Sequence, residues 1–582
     1  MTERISLRTK LSLISILCLA ASASLLTAFS LSSLASNRER FPSMSPPAIA
    51  TLTSPSPNIF AKIDGIRENA SQSQPSPAPD PQVAAGPNHV VEMANDQVEI
   101  FSKQGASVKN YTFNSFFNVH YSTVLNDPAI VYDPSSARWY AIAEGLVAVS
   151  NSSAPTGLWN HYNFTFCAPH VPSIGVTDDK IVLVASTAQP SGVSHICVAN
   201  KSELARGSPK IDNATFTETP NGVHAVQALS PATTEYMVST GMAPTNNATI
   251  YAVTGTPPGQ VTIQAENISI APTTYSPNIP SFNYFPSVQD ASWFKGRLWF
   301  ALNDGCTIAG AHSGCIRLTE INTNGTTICT GNPPLCVNFD YYVMQDFDYG
   351  VAAYGSYFPA LRIDGSGNLD VVYGFSTGVY ITGQGFNDPV NTLRQPIVLK
   401  AAAGSRTDGN WGDYFGAGLD PSDSRIVWVA GEYVPNNPAT SCPPNQPHRP
   451  PNPDCWGTFI GSMNIPSFTM TISPATLNMT APSRGGLKTA QANLTITNLN
   501  ASGQMTLSNN PNYSSALSGP LLGYSHNFTI TPNQVIVITV SVSICSSTPS
   551  RTFIITGSST TTITSITFTV NITGQRGGAC PS

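Results

Sequence analysis

Hydrophobic residues in this chain fall in short alternating runs cut by polar turns. The stretch "NWGDYFGAGLDPSDSRIVWVAGEY", residues 410 to 433, has two such runs split by a Pro-containing turn, the pattern of strand, tight turn, strand. Six related units precede it: "DPQVAAGPNHVVEMA" from Asp80, "DPAIVYDPSSARWYAIA" from Asp127, "VPSIGVTDDKIVLVAS" from Val171, "HAVQALSPATTEYMVST" from His224, "FPSVQDASWFKGRLWFAL" from Phe285 and "FPALRIDGSGNLDVVYGF" from Phe358. Counted from these starts, and from Tyr414 in the last unit, a turn residue is expected six positions on: Gly86, Asp133, Thr177, Ser230, Ala291, Asp364 and Asp420. Each unit continues with further strand-like runs, such as "GLVAVSNSS", "HICVANKSEL" and "WGTFIGSMNI".

Repeats of short strands at this spacing match propeller blades, which bury their faces against one another in a ring. The expected fold is therefore all-β: a seven-bladed β-propeller over 80–465, closed by a strand at 58–66, "NIFAKIDGI", inside a Pro/Ser-rich linker, 36–79. The texture changes after Ile465. Runs such as "NFTITPNQVIVITVSVSI" and "SITFTVNITG", where Ile566, Phe568, Val570 and Ile572 share one face, predict an Ig-like β-sandwich over 466–575, with 576–582 as a tail. No Trp follows Trp456, so the buried-Trp signature of immunoglobulin domains is missing.

The amino-terminal pattern differs from all of this. Arg4, Arg8 and Lys10 precede 25 uncharged residues, "LSLISILCLAASASLLTAFSLSSLA", which reads as an export signal over 1–35. The run is long enough to span a bilayer, yet small residues around Ala35 suit cleavage, so a signal peptide and an uncleaved anchor both remain open. Composition fits an extracellular location, secreted or attached to the cell surface. Charged residues are 10% of the chain, against about 25% in an ordinary domain. A net charge of -6 over 582 residues offers neither a nucleic-acid footprint nor a polybasic membrane patch. Membrane contact is therefore expected only through the amino-terminal segment. Beyond Cys18, ten cysteines remain, and neighbour pairing gives Cys167–Cys197, Cys306–Cys315, Cys329–Cys336, Cys442–Cys455 and Cys545–Cys580 as one disulfide scheme among the many that ten thiols allow. Fifteen N-x-S/T sequons run from Asn69 to Asn571, making a glycoprotein plausible on sequence grounds.

With "PDPQVAAGPNHVVEM", "DPAIVYDPSSARWYA", "VAVSNSSAPTGLWN", "IGVTDDKIVLVAS" and residues 410 to 433 on the page, the chain resembles exported prokaryotic propeller proteins loosely grouped with the sialidase-like superfamily. The resemblance covers 80–465 and implies architecture. It implies little about activity, because the fold hosts enzymes and binders alike. The S-x-D-x-G-x-x-W box of sialidases is absent, and no catalytic residue carries over.

Candidate chemistry lies where the first strands begin. There the register collects Asp80, Asp127 and Asp413 together with His224, Tyr357, Phe358 and Tyr414. Aromatic faces beside carboxylates suit a sugar, and the same three Asp residues could hold Ca²⁺ through oxygen ligands. A third explanation is that Asp-Pro caps each entry turn while the aromatics pack between blades. Asp413 and Glu432 are the only acid pair singled out for a hydrolase. Two functions follow: an exported recognition, adhesion or scaffold protein whose partner is a carbohydrate or a cell-surface protein, with no cofactor required; or a glycan-processing hydrolase. The Pro-rich stretch 441–455 reads as a rim loop or as tolerated surface.

Overall fold

The computed structural model describes residues 48–582 except 54, 69–77, 121–124, 167–172, 187–191, 219–221, 242, 278–284, 331–334, 353, 404–410, 436–455, 484–485, 499–502, 514–515, 517–518, 532–533, 560–562, 576–579 and 581–582. The export segment, Cys167, the 442–455 pair and the Pro-rich stretch lie outside the described residues.

The protein is all-β. Seven successive sheets share one antiparallel plan, in which a first strand is followed outward by three more, and the fifth gains a short parallel strand at each edge, one of them Gln227–Ala228 beside its first strand. Their first strands are Gln82–Ala85 (sheet I), Ala129–Asp133 (II), Ser173–Val176 (III), His224–Ala225 (IV), Val288–Phe294 (V), Ser356–Ile363 (VI) and Gly416–Leu419 (VII). Each packs against the first strand before and after it, and Gly416–Leu419 returns to Gln82–Ala85. Glycine permits that last approach: a Cβ on Gly416 would lie 2.8 Å from Gln82 Cα and from Val83 N.

Burial explains why the strands of a unit look so different in sequence. Second strands are covered on both faces by neighbouring sheets, so Val427–Tyr433, "VWVAGEY", is buried at every position and carries a continuous apolar run. Outer strands face water. Asn213–Glu218 alternates between half-buried and exposed residues, and Ser107–Thr112 is almost wholly exposed. Clusters between adjacent sheets supply the core; one holds Phe358, Trp411, Phe415, Tyr433 and Phe459 between sheets VI and VII.

The outer strand of sheet VII is Asn58–Arg67, antiparallel to Gly457–Asn464. The linker assignment for 36–79 needs correction between these landmarks. Ala48–Ile49 pairs in parallel with Phe347–Asp348 of sheet V, and Thr51–Thr53 pairs with Thr392–Arg394 after sheet VI. Ala50 and Leu52 pack on the core between those two sheets, which is what fixes the segment. The gapless register also fails in sheet V. Ala291 lies inside Val288–Phe294, which continues to Phe294 before the turn at Lys295–Gly296, and a bulge lies between Val288 and Asp290.

From Phe468 onward, two sheets face one another. Phe468–Ser473, Lys488–Asn498, Val535–Ile544 and Leu521–Gly523 form one; Thr476–Thr480, Ile563–Thr573, Arg551–Ser558, Gly503–Asn510 and Asn527–Ile530 form the other. Phe568 and Val570 enter the cluster between them with Phe468, Leu494 and Val540. Arg425 of sheet VII reaches this part of the chain, donating to Ser558 Oγ at 2.9 Å and to the Ser559 carbonyl at 2.7 Å.

Disulfides join Cys306 to Cys315 and Cys545 to Cys580, and Cys197 is also bonded. Cys329 and Cys336 are register partners in the antiparallel pair of Thr326–Thr330 with Leu335–Phe339. Peptide mapping without reduction is expected to recover Cys306 linked to Cys315 across the hairpin. Recovery of both as free thiols from secreted protein would contradict that link.

Candidate functional site

Asp80, Asp127 and Asp413 start three neighbouring sheets, VII, I and II, and the fold brings them within electrostatic reach of one another. Their exposures differ sharply. Asp80 is 4% exposed, Asp127 half-buried and Asp413 exposed. Asp80 Oδ1 accepts the Asp413 N–H at 2.5 Å, and its Oδ2 accepts from Asn95 Nδ2 at 2.5 Å. Burial first, then the charges of Asp413 and Asp127, hold its carboxyl well above the usual range. Asp80 thus ties the entry of sheet VII to sheet I from beneath, and the ligand-contact role expected of it is corrected accordingly.

Asn95 completes the tie. Its Oδ1 accepts the Asp127 N–H at 2.8 Å, while its Nδ2 serves Asp80 and the Ala78 carbonyl. Asn303 repeats the device between sheets V and VI, accepting the Phe358 N–H at 2.8 Å. Both donors, Asp127 (φ 53°) and Phe358 (φ 52°), have left-handed backbone, as does Asp80 (φ 45°). That region is costly for a bulky residue such as Phe, so the Asn acceptor and the packing around it must outweigh the strain.

The aromatic half of the expected site comes apart. Tyr357 and Phe358 are 4% and 0% exposed and lie in the core with Trp411 and Phe415, Phe358 edge-on to Phe415 at 6.1 Å between centroids. They pack between sheets and reach no ligand. Tyr414 differs. It is half-buried, its hydroxyl donates to the Pro128 carbonyl at 3.2 Å, and the charges of Asp127, Asp80, Asp413 and Glu144 surround it. Burial first, then those charges, push its phenol well above its usual value, so it stays a neutral donor.

Glu432 is 1% exposed, and its Oε2 accepts the Gly412 N–H at 2.9 Å. It supports the loop that carries Asp413 and does not face it across an open cleft, which corrects the hydrolase pairing of these two residues. His224 is placed with Asp290 and Arg362 of sheets V and VI; burial lowers its pKa while the Asp290 charge opposes the shift. Among the described residues no three His, Cys, Asp or Glu side chains are arranged to hold a metal ion.

No family model matches the chain, and no curated protein matches it. Similar solved structures include Escherichia coli alpha-2-macroglobulin activated by porcine elastase, 8% identical over 84% of this chain and 52% of that one, TM-score 0.15. The native conformation of E. coli alpha-2-macroglobulin matches at 10% identity over 89% of this chain and 40% of that one, also with TM-score 0.15. The chain thus spans about half or less of the length of these structures, and a likeness at that TM-score carries no argument.

What the arrangement offers chemically is a small acceptor-rich face. Asp127 and Asp413 present carboxylates beside the Tyr414 ring, on a base made rigid by Asp80, Asn95 and Glu432. Asn95 was the least visible member in the sequence. The signal that could have found it is the Asn-Asp pair, Asn95-Asp96 just after the second strand of sheet I and Asn303-Asp304 within the second strand of sheet V.

Proposed function

We propose that the seven sheets are the blades of a β-propeller, that the sheets after Phe468 form an Ig-like sandwich, and that the protein is an exported recognition or scaffold protein binding carbohydrate at the Asp127–Asp413–Tyr414 face. The return of Gly416–Leu419 to Gln82–Ala85 supports a closed ring. The disulfides support an oxidising, extracytoplasmic setting. One observation carries the ligand class: an exposed and a half-buried carboxylate lie close to a half-buried tyrosine, a combination that suits sugar hydroxyls and a sugar C–H face.

Recognition is preferred to hydrolysis because a glycosidase needs two carboxyl groups facing the scissile bond, and Glu432 lies beneath the loop. The reading is drawn without Ca²⁺, since both oxygens of Asp80 already accept N–H bonds. A glycan array probed with the purified protein, followed by a hydrolysis assay on every glycan bound, separates the readings. Binding without turnover is expected. Turnover of a bound glycan would move the protein to the hydrolase class, and an array without any binding would remove the carbohydrate reading.

A further inference from the structure

A cavity of about 400 Å³ lies at the opposite ends of the first strands from the Asp127–Asp413–Tyr414 face. Its wall is formed where the first strands of sheets I, II, III and VII finish, and by the 227–231 segment, whose Gln227–Ala228 pairs in parallel with the first strand of sheet V. Small residues line it, Ala84, Ala228, Ala417 and Gly418 among them, and Gly418 also lets sheet VII approach sheet I, since a Cβ there would lie 2.9 Å from the Val83 carbonyl. Ile130 and Val176 make the wall mainly apolar. The volume falls within the range of small-molecule sites, about 300–1,000 Å³, and is far too small for a folded partner.

One cation lines this cavity. Arg362 is 6% exposed, and its Nη1 donates to Asp290 Oδ2 at 2.6 Å and to the Leu361 carbonyl at 2.5 Å. Asp290 also accepts the Leu361 N–H at 2.9 Å and the Ala291 N–H at 2.9 Å, so backbone donors share in holding that carboxylate. Among the described residues Nε and Nη2 of Arg362 meet no protein acceptor, and neither is among the buried polar atoms left without a partner, so both remain open to an acceptor in the cavity. The acids nearest the rim do not compete for them: Asp133 is paired with Lys201 at 2.9 Å, and Asp178 is exposed to solvent. An acceptor with two parallel oxygens fits the Nε–Nη2 edge of a guanidinium bidentately.

We propose that this cavity binds a small apolar carboxylate, its head group on Nε and Nη2 of Arg362 and its hydrocarbon body against Ala84, Ile130, Val176 and Ala228. The site is separate from the carbohydrate-binding face, and either can fail without the other.

Decanoate is the probe, titrated into the full protein by calorimetry beside its methyl ester, which keeps the chain and loses the charge. Decanoate is expected to bind, and the ester to bind at least tenfold more weakly. Arg362→Met would strand Asp290, so the paired variant Asp290→Asn/Arg362→Met is used to remove the head-group site. Ala228→Trp fills the body of the cavity and leaves Arg362 in place. Each variant is expected to lose decanoate binding at least tenfold while thermal unfolding stays cooperative. No decanoate binding to the unaltered protein, equal binding of acid and ester, or full binding by the folded Ala228→Trp variant would overturn the proposal.

Discussion

Replacing Arg317 with methionine is expected to destabilise the protein by about 3–5 kcal/mol, the usual cost of removing one partner from a buried ion pair. Arg317 is fully buried in sheet V, with Asp304 at 2.7 Å, Asp348 at 3.0 Å and Asp346 at 4.0 Å. Its remaining N–H groups hold the Ala271 carbonyl at 2.6 Å and the Pro272 carbonyl at 2.9 Å, in the segment that leads out of sheet IV. One guanidinium therefore neutralises an acidic cluster and pins a chain crossing. Methionine fills the volume but removes the donor to both carbonyls and to Asp348, and leaves Asp304 and Asp346 with their other donors but no cation, whereas Arg317→Lys keeps the charge and loses the fork, so an intermediate loss is expected. Urea unfolding monitored by tryptophan fluorescence reads the difference. A midpoint unchanged in Arg317→Met would show that the cluster contributes nothing to stability.

Stability is expected to fall as pH rises from about 4.5 to about 7, and Glu92→Gln to remove part of that fall. Glu92 lies fully buried in sheet I, where its Oε2 accepts the Ile66 N–H at 2.8 Å. Burial raises its pKa to about 7, against the lowering effect of its bonds with Thr458 and Ile66. In the unfolded chain the same carboxyl ionises near its ordinary value of 4.5. Between those two pH values the folded protein holds a proton that the unfolded chain has released, so the contribution is present below about 4.5 and lost as pH climbs through about 7. The loss from this one group is roughly 3 kcal/mol. Asp304 and Asp364, each raised to about 7 chiefly by burial, act in the same direction. Denaturant midpoints for the natural protein and Glu92→Gln should agree near pH 4.5 and separate at pH 8, with the variant more stable. Parallel midpoints across that range would mean that Glu92 is ionised in the folded state.

The β-strands were legible because their periodicity is local. Phe568, Val570 and Ile572 alternate with outward polar residues, and the runs on either side of the Asp420 turn are apolar because each strand has neighbours on both faces. The grouping of Asp80, Asp127 and Asp413 was legible too, since register places strand starts at one end of their sheets. Side-chain direction was not. Phe358 occupies the same register position as Asp80 and Asp127, with the same left-handed backbone, yet its ring turns into the core because an apolar side chain there gains by leaving water. The short strands Ala48–Ile49 and Thr51–Thr53 have no periodicity of their own and exist by pairing with edges formed elsewhere. Sheet V escaped the register because its first strand runs on to Phe294 and its turn comes at Lys295–Gly296, and nothing in the residue types marks that longer strand. The Arg362 cavity was hidden for a related reason: small residues at strand ends read as turns, and only the assembled sheets make them a void.

The most direct test of the recognition reading is the affinity of the Tyr414→Ala and Asp413→Asn variants for a glycan that the natural protein binds. Tyr414 is half-buried and Asp413 exposed, and Asp413→Asn leaves in place the backbone N–H that Asp80 accepts. Each variant is expected to keep the thermal stability of the natural protein within a few degrees and to lose at least tenfold in affinity, about 1.4 kcal/mol. Unchanged affinity in both variants, measured on folded protein, would contradict carbohydrate recognition at this face.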